Sequence, residues 1–78
     1  MTQVIYTVTF QTLILQNTNF YGVLMGTYTS IEKARTQVEI WMEEYEEKLL
    51  YYKKPANGIY IYTTDKGRWI IEPTILDD

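Results

Sequence analysis

Glutamates are the densest group of chemically active side chains in this sequence of 78 residues. Positions 39 to 47 hold five of them and no lysine or arginine. On a helix with about 100° between successive residues, four of these glutamates and the earlier Glu32 fall on one flank that is roughly 22 Å long. They are Glu32, Glu39, Glu43, Glu46 and Glu47.

Such a flank has three interpretations. Paired carboxylates can act as general acid and base, but they need a cleft that separates their pKa values, and a convex helix flank offers none. A solvated acidic face that keeps a small protein soluble is the simplest interpretation. The third is a binding surface for a basic partner, including one that competes with nucleic acid for a cationic groove.

Two large side chains lie on the outer face of the same helical wheel, away from its apolar stripe. Ile40 and Tyr51 exceed what the core of the fold requires, so we expect them to contribute to a partner or dimer contact. The predicted partner-binding residues are therefore Glu39, Glu43, Glu46, Glu47, Ile40 and Tyr51.

The residues that are missing restrict the function as well. The chain has no histidine and no cysteine, so we expect no catalytic, cofactor or metal site and predict a non-enzymatic protein. Net charge is −3, which makes nucleic acid an unfavoured partner. No apolar run approaches the roughly 20 residues of a membrane span. We expect a cytoplasmic location, since no disulfide framework is present.

A tyrosine-lined strand is a weaker candidate site. Tyr60, Tyr62 and Arg68, with lysines nearby in sequence, have the aromatic and basic makeup of a single-strand nucleic-acid platform. Cross-strand tyrosine packing explains the same residues and is favoured by the net acidity. A small ligand on the tyrosine-lined face of residues 59–71 is a further alternative.

The elements that position these residues begin with a hairpin. Alternating apolar residues predict a strand from Gln3 to about Leu15, and a parity shift indicates either a bulge near Gln11 and Thr12 or a strand end. Turn formers at 17–19 separate it from a second strand over 20–28.

A long helix is predicted next. Thr29 and Glu32 have the spacing of a capping box, and Pro55 prevents the helix from continuing beyond Lys54. Apolar residues at three- and four-residue steps predict a helix over 30–53. The stripe comprises Ile31, Ala34, Val38, Trp41, Met42, Tyr45, Leu49 and Tyr52.

A second hairpin closes the chain. Strands over 59–64 and 68–76 flank a tight turn at 65–67, with Trp69 and Ile71 facing the core. Pro73 indicates that the last strand lies at a sheet edge or is broken there. The prediction is one α+β domain spanning 1–78, a ββαββ fold in which one long helix packs on an antiparallel sheet of three to four strands.

The residues from Gly26 to Ala34 resemble the G-V-F-S-S-x-E-K-A junction of small proteins encoded by phages and mobile elements. Such proteins often end in a strand with Leu-Asp, as Leu76 and Asp77 do here, although their helices are shorter and they lack residues 55–64. Some small acidic phage proteins inhibit host factors, including defence nucleases, as anti-CRISPR proteins do. The resemblance implies a phage-encoded inhibitor of a basic host protein; a homo-oligomeric accessory protein is the alternative.

Overall fold

The computed structural model describes residues 2–13, 20–54 and 57–77, which form an α+β fold. The elements are β1 (Thr2–Leu13), β2 (Phe20–Tyr28), α1 (Ile31–Glu44), β3 (Leu49–Lys53), β4 (Tyr60–Thr64) and β5 (Gly67–Asp77). All strand pairs are antiparallel, in the order β2-β1-β5-β4-β3. The prediction of three to four strands in ββαββ order is wrong, because the end of the predicted helix forms an additional strand, β3.

Three parts of the predicted secondary structure fall outside the described residues. They are the end of the first strand near residue 15, the turn at 17–19 and the turn that begins at Pro55. The two hairpins themselves are confirmed, since β1 pairs with β2 and β4 pairs with β5. In the described part of the chain, no helix is long and apolar enough to cross a membrane.

The centre of the sheet is the long ladder between β1 and β5. Val8 lies opposite Ile71, and Phe10 lies opposite Trp69, with their ring centroids 4.6 Å apart. Both predicted core residues of β5 are buried, Trp69 with 1% of its surface exposed. Because side chains alternate along a strand, these four residues define the face of the sheet that contributes to the core.

A β-bulge lies in the pairing of β1 with β2, at a position other than the one considered for the parity shift. Val8 pairs with Gly26 and Thr9 pairs with Leu24, so Met25 is the extra residue on β2. Gln11 and Thr12 pair in regular register with the residues opposite them. Of the two alternatives for the parity shift, the bulge near Gln11 and Thr12 is therefore excluded.

Pro73 neither breaks the last strand nor places it at the edge of the sheet. β5 lies between β1 and β4, and Pro73 pairs with Tyr6 of β1. The described pairing with β4 ends at Ile71, two residues earlier. At Pro73, β5 therefore has one described neighbour, which is the local situation in which a proline is tolerated.

α1 contributes one face to the core. Ala34, Val38 and Met42 are buried in a single cluster with side chains from β1, β4 and β5. Trp41 stacks on Trp69 with ring centroids 5.4 Å apart. The first half of the predicted stripe thus forms the helix side of the core.

The helix begins one residue later than the predicted capping box. Ser30 is the N-cap, and its hydroxyl accepts a hydrogen bond from the Lys33 amide at 3.2 Å. Thr29 therefore lies outside the helix, and Glu32 stands in its first turn, where a carboxylate interacts favourably with the helix dipole.

The helix ends at Glu44, nine residues before the predicted end at 53. Glu46 adopts a left-handed conformation, with φ of 54°. The Glu46 amide donates to the Glu43 carbonyl at 3.2 Å and the Glu47 amide donates to the Met42 carbonyl at 2.8 Å. This pair of bonds is a Schellman motif, which satisfies helix carbonyls and turns the chain away.

The turn after the helix is fastened to the β4–β5 turn. The Lys48 amide donates to Asp65 Oδ1 at 2.9 Å, and the Asp65 amide donates to the Lys48 carbonyl at 3.1 Å. Lys66 Nζ donates to the Tyr45 carbonyl at 2.6 Å, which places a cation at the negative end of the helix. These contacts direct the chain into β3 along the outer side of β4.

Candidate interaction surface

The outer face of α1 carries three of the predicted partner-binding residues. Glu39, Ile40 and Glu43 all lie on the helix and are exposed, Ile40 with 42% of its surface. Ile40 lies on the side of the helix opposite the buried residues Ala34 and Val38. Among the described residues, the carboxylates of Glu39 and Glu43 take part in no hydrogen bond or ion pair.

The other predicted glutamates do not extend this face. Glu46 and Glu47 follow the end of α1 at Glu44, so the long acidic flank drawn on the helical wheel is wrong. Glu46 is exposed in the turn, where its backbone reverses direction. Of the five glutamates of that flank, α1 carries only Glu32, Glu39 and Glu43, which span about 16 Å at 1.5 Å per residue.

Glu47 is tied to the interior of the fold. Its Oε1 atom accepts a hydrogen bond from the indole N–H of Trp69 at 3.0 Å. The same atom accepts from the Thr64 hydroxyl at 2.7 Å, and Thr64 is buried. A carboxylate that satisfies two inner donors is a structural element, so Glu47 is not part of the exposed acidic surface.

Tyr51 lies apart from Ile40. It belongs to β3, where it pairs with Thr63 of β4, and it is 58% exposed. Its neighbour Tyr52 pairs with the core residue Tyr62, so Tyr51 points to the sheet face opposite α1. The expectation that Ile40 and Tyr51 share a helix face is therefore wrong. The prediction that Tyr45, Leu49 and Tyr52 belong to a buried stripe is also wrong, since all three are exposed.

A tyrosine and arginine cluster lies between α1 and the edge of the sheet. Arg35 Nε donates to the Tyr62 hydroxyl at 2.9 Å, and the guanidinium lies 5.2 Å from the ring centroid of Tyr60 and 5.7 Å from that of Tyr52. Lys54 Nζ also lies over the ring of Tyr60, 5.4 Å from its centroid. These contacts combine a hydrogen bond with cation–π attraction.

Burial raises the pKa of the Tyr62 phenol, and this effect exceeds the opposing hydrogen bond from Arg35. The pKa of Arg35 is raised too, mainly by that hydrogen bond. At neutral pH the pair is therefore a neutral phenol and a cation, which is an arrangement for packing and not for proton transfer. Arg35 was not among the predicted site residues. Its position beside the apolar stripe of the helix could have indicated a contact with the sheet.

The residues of the alternative nucleic-acid platform do not share one exposed surface. Tyr62 is buried beneath the helix with only 3% of its surface exposed. Arg68 precedes the inward-facing Trp69, so it lies on the opposite face of the sheet, where its Nε donates to Gln11 Oε1 at 2.8 Å. The tyrosines instead pack across neighbouring strands, since the ring centroids of Tyr52 on β3 and Tyr62 on β4 are 5.0 Å apart.

A shallow depression of about 410 Å³ lies between the end of β2 and the start of α1. It is lined by Tyr28, Glu32, Lys33, Thr36 and Gln37. This is not the tyrosine-lined face of 59–71 that was the alternative small-ligand site. No group of three or more acidic side chains suited to a metal ion occurs in the described ranges.

Comparisons of the chain with protein-family models, with curated proteins and with solved structures each found no match.

Proposed function

We propose that this protein acts by binding another protein through the outer face of α1. The observation that supports this most directly is the exposed Ile40, which lies on a helix face that the fold does not use and has Glu39 and Glu43 on one side of it. An apolar centre with a polar rim is the usual composition of a binding surface on a soluble protein. Exposed carboxylates around it favour a partner of opposite charge.

The partner in this proposal is a basic host protein, and the chain is a phage-encoded inhibitor that works in the host cytoplasm. The support is the resemblance of the Gly26–Ala34 junction to small phage proteins, together with the net charge of −3. An acidic helix can occupy a cationic groove that otherwise holds nucleic acid, because both present negative charge at similar spacing. Binding of this kind requires no catalytic group.

The experiment is capture of partners from host lysate, followed by titration calorimetry with the purified partner. Ile40→Ser removes the apolar centre, and Glu39→Gln with Glu43→Gln removes the charges beside it. Each variant is expected to weaken binding by about tenfold, since central contacts dominate interface energies. The loss from the glutamine variant should shrink at high salt, because exposed charges are screened there.

Glu72→Lys is the matched control. Glu72 is exposed on the sheet face opposite α1, and this substitution raises the net charge by two, as the double glutamine variant does. Binding by the control should remain close to that of the unmodified protein. Equal binding by all the variants would remove the helix face from consideration. Equal losses by the double glutamine variant and by Glu72→Lys would show a response to net charge alone.

A further inference from the structure

β3 is an edge strand with an open outer side. It is the last strand in the sheet order and pairs with β4, its only neighbour among the described residues. All five of its residues are exposed, and four of them are the large apolar or aromatic side chains Leu49, Leu50, Tyr51 and Tyr52. The backbone N–H and C=O groups of an open edge form a template for another strand.

This edge is held in place by contacts on its inner side. Tyr52 packs on Tyr60 and Tyr62, with ring centroids 6.3 Å and 5.0 Å away. Lys48, just before the strand, is hydrogen-bonded to Asp65 in both directions. A preformed edge loses little conformational freedom when a partner strand pairs with it.

A bulge interrupts only the start of the strand. Leu49 pairs with Thr64 and Tyr51 pairs with Thr63, so Leu50 is the extra residue. From Tyr51 to Lys53 the register is regular. The segment that can accept a new strand is therefore centred on Tyr52.

The charges around β3 specify its partner and the direction of pairing. The exposed charges before the strand are mostly acidic, Glu43, Glu44 and Glu46 against the one cation Lys48, whereas Lys53 ends the strand and Lys54 follows. An antiparallel pair of identical strands brings the acidic end of each chain towards the basic end of the other. A parallel pair would instead set lysine against lysine, which is unfavourable.

We propose that two copies of this chain associate through antiparallel pairing of their β3 strands, about a two-fold axis at Tyr52. The two five-stranded sheets then join into one continuous sheet. Leu50 of each protomer lies opposite Lys54 of the other, and Tyr51 lies opposite Lys53. The inference does not rest on the proposed function, because it is argued from β3 and not from the outer face of α1.

The opposite edge of the sheet lacks these features. β2 contains no charged residue, is interrupted by Gly22 and Gly26, and carries the bulge at Met25. Glycines weaken a strand, and β3 contains none. Both edge strands carry a bulge, at Met25 and at Leu50, so the bulge does not distinguish them. Leu24 on β2 is nonetheless exposed, like Leu50 on β3, so it offers a matched control position.

The test is sedimentation equilibrium of the full chain from about 1 µM to about 500 µM. The unmodified protein is expected to reach twice its mass of 9.3 kDa. Leu50→Lys, which places like charges across the interface, should weaken the dimer by about tenfold, while Leu50→Glu should associate about tenfold more tightly than Leu50→Lys. That difference should narrow at high salt.

Leu24→Lys should dimerise like the unmodified protein, and circular dichroism should show all three variants folded. A monomer at every concentration would overturn the proposal. So would equal association by Leu50→Lys and Leu50→Glu, because the charge across the axis would then be irrelevant. Loss of the dimer in Leu24→Lys alone would assign the interface to β2.

Discussion

Glu47 and Trp69 join the end of the helix to the centre of the sheet, through a hydrogen bond of 3.0 Å from the indole N–H to the carboxylate. Trp69 is 1% exposed, so in the folded protein this carboxylate takes the place of water as the acceptor of the indole N–H. The same carboxylate oxygen accepts from Thr64. One acidic side chain thereby satisfies two inner donors and fixes the place where the chain leaves α1.

Glu47→Ala is expected to lower the free energy of unfolding by about 1–3 kcal/mol, because it leaves the indole N–H of Trp69 without its acceptor. The Thr64 hydroxyl loses the shorter of its two bonds and keeps the Gly67 carbonyl at 3.3 Å. Urea denaturation followed by circular dichroism measures the change. Glu47→Gln keeps an acceptor oxygen, so its loss should be smaller than that of the alanine variant.

Glu43→Ala is the control for this prediction, since Glu43 is an exposed residue of α1. Its effect should stay within about 0.5 kcal/mol, as for most surface substitutions. If the alanine variants at 43 and 47 were equally stable, the bond between Glu47 and Trp69 would contribute nothing measurable to the fold.

The end of the helix shows most clearly why the sequence pattern failed. Leu49 and Tyr52 continue the apolar steps of the helix, and no glycine marks its end. Glutamate is a good helix former, yet Glu46 takes the left-handed position that glycine usually occupies. Contacts distant in sequence, from Asp65 and Lys66, outweigh the local preference. Such contacts are invisible to a periodicity argument.

Glu46→Gly is expected to stabilise the protein. A residue with a Cβ atom is strained at a φ of 54°, and glycine removes that strain. The greater freedom of glycine in the unfolded chain offsets part of the gain, so the net increase should be about 0.5–1 kcal/mol. Thermal and urea unfolding measure it, with Glu46→Ala as the control that keeps the strain. A glycine variant less stable than the alanine variant would contradict this account.

Other parts of the fold were predictable from short-range patterns. Alternation identified both hairpins, and it placed Trp69 and Ile71 in the core, where both are buried. On the candidate surface, the helical wheel correctly predicted that Glu39, Ile40 and Glu43 are exposed. It failed beyond Glu44, because a wheel assumes that the helix continues. β3 was missed for the same reason, although Leu49–Lys53 is rich in strand-forming side chains.

The Arg35–Tyr62 pair leads to a prediction about alkaline pH. Because burial raises the pKa of Tyr62, its phenolate should form at a higher pH in the folded protein than in the unfolded chain, where tyrosine ionises near pH 10. A raised folded-state pKa means that the contribution of Tyr62 to stability is complete below about pH 10 and is lost as pH rises through the folded value. The raised pKa of Arg35 acts in the same direction.

Absorbance at about 295 nm reports phenolate formation, and subtracting the titration of Tyr62→Phe isolates this one residue. The midpoint of the difference curve is expected above pH 10 in buffer and near pH 10 in concentrated urea. Tyr62→Phe also removes the acceptor for Arg35, so at neutral pH it should cost about 0.5–1.5 kcal/mol. That cost should shrink above pH 10, because only the unmodified protein must keep a buried phenol protonated. A midpoint in buffer at or below the one in urea would show that the cation beside Tyr62 outweighs its burial.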